Sequence, residues 1–163
     1  MTDRELIVLI VEDETPKITQ IELFLRSLCI PMKIDHAKSV NSALDRLDEG
    51  TPDLLLLDMS LPTIDVDIVG GESGGRPQGF GGIEVLRNME YANISCPVVV
   101  ITGYEAFPRQ GGNVDISGIT QELREEFPKL LHSVLHYNST YETWKDKLRV
   151  AFKEFKSKMD REL

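Results

Sequence analysis

The sequence is short of several things that would have pointed elsewhere. It has two cysteines, Cys29 and Cys96, far apart and without metal-ligand spacing. No disulfide framework or thiolate metal site is expected, and both read as small buried thiols. Long apolar runs are missing as well: the opening MTDRELIVLIVEDE carries six consecutive apolar residues and then acids. That fits neither a signal peptide nor a membrane span and points to a cytoplasmic protein. Basic residues are outnumbered, 18 Lys and Arg against 27 Asp and Glu. The resulting formal charge of −9 argues against direct binding to nucleic acid or an anionic membrane, both of which draw on clustered cations. No Gly-Lys-Ser/Thr closes the stretch GGESGGRPQGFGG, and no strand leads straight into it, so it does not read as a phosphate cradle. Asn93-Ile-Ser and Asn138-Ser-Thr match the glycosylation pattern, but without a secretory signal they read as coincidences.

What the chain does have is alternation. At 163 residues it suits one domain that buries about two-thirds of its unfolded surface. Short apolar runs alternate with helical patterns, the signature of a parallel sheet covered by helices on both faces. Leu6 to Val11 reads as a buried strand. Thr15-Pro16 offers an N-cap and a first-turn proline for a helix that turns Ile18, Ile21, Leu25 and Leu28 inward. Met32 to His36 is a second, weaker strand, followed by a Ser39-capped helix with Val40, Ala43, Leu44 and Leu47 inward and Gly50 at its end. Leu54 to Asp58 is the third strand, Ile83 to Tyr91 a helix, Pro97 to Thr102 a β-branched fourth strand, and Ser117 to Phe127 another helix. Leu131 to Tyr137 completes five strands. Ser139-x-x-Glu142 reads as a capping box for a last helix carrying Trp144, Leu148, Ala151, Phe152, Phe155 and Met159 in register. Two segments break the pattern. Seven of the twelve glycines lie between Gly70 and Gly82, a loop composition, and Gly103 to Ile116 is a second long connection. Both follow the C-terminal ends of strands, the edge where open parallel sheets bind ligands.

The chemistry gathers at that edge. The first strand ends in Glu12-Asp13-Glu14 and the third in Asp58, and right-handed crossovers make these strand ends neighbours. Three or four converging carboxylates repel by roughly 4 kcal/mol per close pair at an effective dielectric near 20, so they require a bound cation or shifted pKa values. Oxygen ligands with no His or Cys at hand favour Mg²⁺. Thr102 ends the fourth strand, where its hydroxyl can donate to an anion held over Asp58.

IVLIVEDE, LLLLDMSLP and VVVITGYE together resemble the three site motifs of the receiver domain of two-component response regulators, and the resemblance spans nearly the whole chain. It implies a flavodoxin-like, doubly wound α/β fold: a five-stranded parallel sheet with five flanking helices, as a single receiver-like domain over 1–163. It further implies that Glu12 and Asp13 are the acidic pair that binds Mg²⁺, that Asp58 is a metal ligand and the phosphoacceptor, that Ser60 gives a backbone carbonyl to the metal, and that Thr102 is the switch hydroxyl. Ser60 and Tyr104 sit where similar receivers modulate hydrolysis. The implied partners are a sensor histidine kinase or phosphotransfer protein and a downstream effector protein, with room for a homodimer. No DNA-binding output module follows in this sequence, so output is expected through protein contacts.

Two departures stand out. In the family an acid and a glycine follow the proline closely, whereas here Asp65 is separated from Gly82, so about 66–81 reads as a glycine-rich insertion, a lid or docking arm. The family also places Lys-Pro at the end of its fifth strand, where this chain has Tyr137-Asn138, or His136-Tyr137 with a one-residue shift. No lysine is expected in the site. A tyrosine hydroxyl can donate a hydrogen bond but carries no charge, and His136 either turns inward to restore charge when protonated or packs on a helix. These departures leave an alternative, a degenerate receiver that acts as a phosphorylation-independent binding module. In the main reading the chain catalyses its own aspartyl phosphorylation and dephosphorylation. A phosphatase of the haloacid-dehalogenase type would need a second acid where Ser60 stands.

Overall fold

The computed structural model describes residues 4–65 and 80–162. The elements follow the expected alternation: β1 Leu6–Val11, α1 Thr15–Ser27, β2 Met32–Ala37, α2 Val40–Glu49, β3 Leu54–Leu57, α3 Gly81–Tyr91, β4 Val98–Thr102, β5 Ala106–Arg109, β6 Gly112–Asp115, α4 Ile116–Glu126, β7 Leu131–His136 and α5 Thr143–Glu162. Five strands form a parallel sheet in the order β2-β1-β3-β4-β7, so the flavodoxin-like doubly wound arrangement is present with its five helices.

The central strands are apolar throughout because both of their faces are covered. Alternate side chains divide between two cores. Leu9, Val11, Leu55, Leu57, Val98 and Val100 pack under α2, α3 and α4 against Val40, Leu86 and Leu123. Leu6, Val8, Ile10, Leu54, Leu56 and Ile101 pack under α1 and α5 against Ile21, Leu25, Leu148 and Phe152. All four leucines of β3 are essentially inaccessible, and each such burial contributes about 1.5–3 kcal/mol.

Local chemistry explains the element ends, and in places corrects the expectation. Ser39 caps α2 as anticipated: its hydroxyl accepts from the Ser42 N–H at 3.1 Å, and Ser42 reciprocates to the Ser39 N–H at 3.0 Å. In α1 the cap is Glu14, one residue before the expected Thr15, with no side-chain hydrogen bond to the helix. The Ser139 capping box does not open α5. Instead the Asn138 side chain accepts from the N–H groups of Thr140 and Tyr141 at 2.7 and 3.2 Å, and the helix starts at Thr143; the carboxamide oxygen of an asparagine competes well for such turns.

The connection over 103–116 is not irregular but holds an antiparallel hairpin, β5 paired with β6. Gly111, in its turn, and Gly112, at the start of β6, have φ of 93° and 145°, values that side chains resist. Phe107 anchors the hairpin by burying its ring in the core, 6.1 Å from the Tyr104 ring. Cysteine burial is split: Cys96 is buried, its thiol pushed up to about 12 by desolvation, whereas Cys29 is exposed in a left-handed conformation just past α1.

Most of the expected insertion, residues 66–79, lies outside the described residues. Beyond it α3 begins at Gly81, so the helix includes Gly81 and Gly82 ahead of the expected Ile83. These glycines let the helix start press against the backbone that follows β3. A Cβ on Gly82 would lie 2.5 Å from the Asp58 carbonyl oxygen, and one on Gly81 2.7 Å from that of Leu61. Gly82→Ala should therefore force α3 away from the Asp58 backbone and lower unfolding free energy by about 1–3 kcal/mol, measured by urea denaturation. An unchanged midpoint would mean that the contact yields freely.

Candidate functional site

The parallel register builds the site. Val11 pairs with Leu57, so the next residue of each strand, Glu12 and Asp58, emerges at the same sheet edge, tied together by the Asp58 N–H donating to the Val11 carbonyl at 2.9 Å. One carboxylate oxygen from each of Glu12, Asp13 and Asp58 lies within 4.8 Å of the other two. The three acids expected to share a cation are thus brought together. Glu12 and Asp58 are buried, 2% and 7% exposed, with Asp13 half-buried beside them. Asp13 and Asp58 border a cleft of about 510 Å³ whose rim includes Ser60, Tyr104, His136 and Tyr137.

A cation is already present, and it is one that the sequence reading missed. Lys17 of α1 is 4% exposed, and its Nζ lies 2.6 Å from Glu12 Oε2 and 3.3 Å from Asp58 Oδ1, while donating to the Ile101 carbonyl at 2.7 Å. Three acceptors match the three N–H donors of an ammonium. The expectation that no lysine reaches the site is corrected: the strand-end position has none, but a helix supplies one. A signal was available. Lys17, Ile21, Phe24, Leu25 and Leu28 share one helical face, which made Lys17 a charged residue on an apolar stripe.

The Tyr137 ring stands beside this ammonium, its centroid 5.5 Å from Nζ, and packs on Trp144 at 5.2 Å. Burial holds the Tyr137 hydroxyl above its ordinary pKa, so it remains neutral. His136 does not pack on a helix: it pairs with Thr102 in the sheet and faces the cleft rim, with Nε2 3.9 Å from Glu105. Thr102 is fully buried. Its Oγ1 accepts from the Tyr104 N–H at 3.1 Å, and the Tyr104 hydroxyl donates to Ser60 Oγ at 3.4 Å.

The electrostatic balance is two buried acids against one base. Burial pulls Lys17 toward neutrality, but the charges of Asp58 and Glu12 outweigh it and hold the ammonium above the ordinary lysine range. For the acids, burial wins over the single ammonium. Glu12 is pushed up to about 8, with repulsion from Asp58 adding to desolvation, and Asp58 is raised by burial with Asp13 adding. A divalent cation among these oxygens would relieve both penalties, so the donor set fits a hard metal ion such as Mg²⁺.

The folded state thus holds the Glu12 proton more tightly than the unfolded chain does. The associated stability is complete below the ordinary glutamate pKa and lost as pH rises through about 8. In chelator-treated protein, unfolding free energy should fall by about 2 kcal/mol between pH 6 and 8, and Glu12→Gln should flatten that fall, as read by denaturant titration at each pH. A fall of equal size in Glu12→Gln would assign it to other groups.

No family model matches the chain, but curated relatives do. The Detocs response regulatory protein DtcB of Vibrio alginolyticus is 30% identical over 122 residues, covering 74% of this chain and 80% of that protein. DtcB of Enterobacter cloacae (strain JD6301) is 30% identical over 96 residues, 59% of this chain, and the match spans 63% of that relative, a little under two thirds of its length. Solved structures share the fold. A response regulator receiver domain protein from Clostridium thermocellum has a TM-score of 0.64 at 16% identity, covering 97% of this chain and 99% of that one. The response regulator TrrA of Thermotoga maritima, crystallised with Mg²⁺ and BeF, has a TM-score of 0.59 at 19% identity, covering 92% and 98%. Sequence kinship over most of a response regulatory protein, joined to a fold shared with receiver structures, means that this chain belongs to the receiver family of response regulators.

Proposed function

We propose that the chain is a receiver domain that takes a phosphoryl group onto Asp58 from a sensor histidine kinase or phosphotransfer protein, in a Mg²⁺-dependent reaction, and signals through contacts with a downstream effector protein. The observation that carries this reading is the Asp58 carboxylate at a cleft, sharing a cluster of three acids within 4.8 Å. The Mg²⁺-BeF complex of TrrA supports it by precedent in a protein of the same fold.

An Asp58 carboxylate oxygen would attack phosphorus in line as the bond to the donor imidazole breaks, leaving an acyl phosphate on the protein and a neutral histidine on the donor. Mg²⁺ held by Glu12, Asp13, Asp58 and the Ser60 carbonyl would neutralise charge on the transferred oxygens. The cleft positions the donor, and positioning accounts for most of the rate. Thr102 is the switch hydroxyl: its Oγ1 accepts from the Tyr104 N–H, which leaves its own proton to be donated to a phosphoryl oxygen. Tyr104 leads into the hairpin whose Phe107 is lodged in the core, so a change at Thr102 is carried toward α4 and the face it forms with β7 and α5. A lid or docking arm is the proposed role of the glycine-rich stretch at about 66–81, most of which lies outside the described residues. The cytoplasm is the proposed location, and among the described residues no helix is long and apolar enough to cross a membrane.

Incubation with acetyl phosphate and Mg²⁺ should add one phosphoryl mass per chain, abolished by chelation and by Asp58→Asn, with Trp144 fluorescence altered by beryllofluoride and Mg²⁺ because its ring neighbours Tyr137. Incorporation that persists in Asp58→Asn, or a chain inert to both reagents, would overturn the proposal.

A further inference from the structure

We infer that Lys17 is the phosphoryl-binding cation of this site, an ammonium that trades its Glu12 contact for the oxygens of a phosphoryl group on Asp58. The inference rests on the phosphoacceptor reading of Asp58 given above and adds the residue that holds the product.

Charge and reach both support it. Among the described residues that line the cleft, Lys17 is the one Lys or Arg. The other lining group able to carry positive charge, His136, sits on the rim facing Glu105. Phosphorylation replaces the single charge of Asp58 with a phosphoryl dianion, next to Glu12 and Asp13. With a divalent cation bound, those charges sum to −2, and the Lys17 ammonium lowers the excess to −1. Nζ needs little travel, since it already lies 3.3 Å from Asp58 Oδ1 and the phosphoryl oxygens would stand two bonds beyond the carboxylate oxygen that carries phosphorus.

The anchoring also suits an exchange of partners. The Ile101 carbonyl accepts from Nζ at 2.7 Å from the side of β4, and the Tyr137 ring borders it; neither is an acid that a metal would claim. Glu12 is different, because it is at once the closest ion partner of Lys17 and a member of the acidic cluster. A divalent cation drawing on Glu12 frees one ammonium proton donor, and the phosphoryl group supplies the new acceptor. A charge-assisted contact of this kind is short and strong.

Lys17 would therefore act as a positioning cation. At saturating Mg²⁺, Lys17→Met should bind beryllofluoride about 10- to 100-fold more weakly than the unaltered chain, with Lys17→Arg recovering part of the loss because it keeps the charge. Equal affinity in a folded Lys17→Met protein would overturn the inference and leave Lys17 a structural counter-ion. Should Lys17→Met fail to fold, the unaltered protein still decides the matter: the Lys17 Nζ resonance should move on adding beryllofluoride to the Mg²⁺-saturated chain, and a stationary signal refutes the exchange. Failure of the phosphoacceptor reading looks different, since the unaltered chain would then take up neither phosphoryl group nor beryllofluoride.

Discussion

A lysine ammonium buried between two carboxylates at a sheet edge is the interaction on which the rest of this structure turns. Removing an ion from water costs several kcal/mol even after relaxation, and one opposing charge does not cancel two. The arrangement at Lys17, Glu12 and Asp58 is therefore underneutralised by design of its geometry: stable enough to fold around, yet short of positive charge. Such a shortfall fits the cluster for a hard cation, since a divalent ion would relieve the repulsion that one ammonium leaves.

The fold pays for this polar knot with the apolar mass around it. The β3 leucines and the alternating residues of β1 and β4 fill both cores, and the sheet register delivers Glu12 and Asp58 to adjacent positions. The helices complete the site from the outside. α1 contributes the ammonium, α3 closes on the backbone after β3 through two glycines, and Tyr137, just past β7, gives the ammonium an aromatic wall.

How much of this the sequence disclosed depended on whether a signal was local. Strand tips that end in acids are written in consecutive residues, so Glu12, Asp13, Asp58 and Thr102 could be placed on one edge from strand order alone. The helix faces followed from spacing, as Ile18, Ile21 and Leu25 illustrate. Lys17 was passed over because its burial depends on partners far along the chain, the Ile101 carbonyl among them, and a lone lysine near a helix start ordinarily faces water. The hairpin between β4 and α4 was hidden for a similar reason: Phe107 is one apolar residue in a polar stretch, and its anchoring role exists only once the core cavity beneath it is formed. The start of α5 turned on a contest between Asn138 and Ser139 for the same N–H groups, which composition does not adjudicate.

The described chain on either side of residues 66–79 is held firmly. On one side the Pro62 and Thr63 carbonyls accept from the N–H groups of Val40 and Asn41, each at 3.0 Å; on the other, Gly81 and Gly82 are wedged against the Leu61 and Asp58 backbone. The starts of α2 and α3 are thereby both tied to the stretch of chain that carries Asp58. A displacement of either helix would be transmitted to that carboxylate, so the acidic edge and the helices beneath it form one mechanical unit.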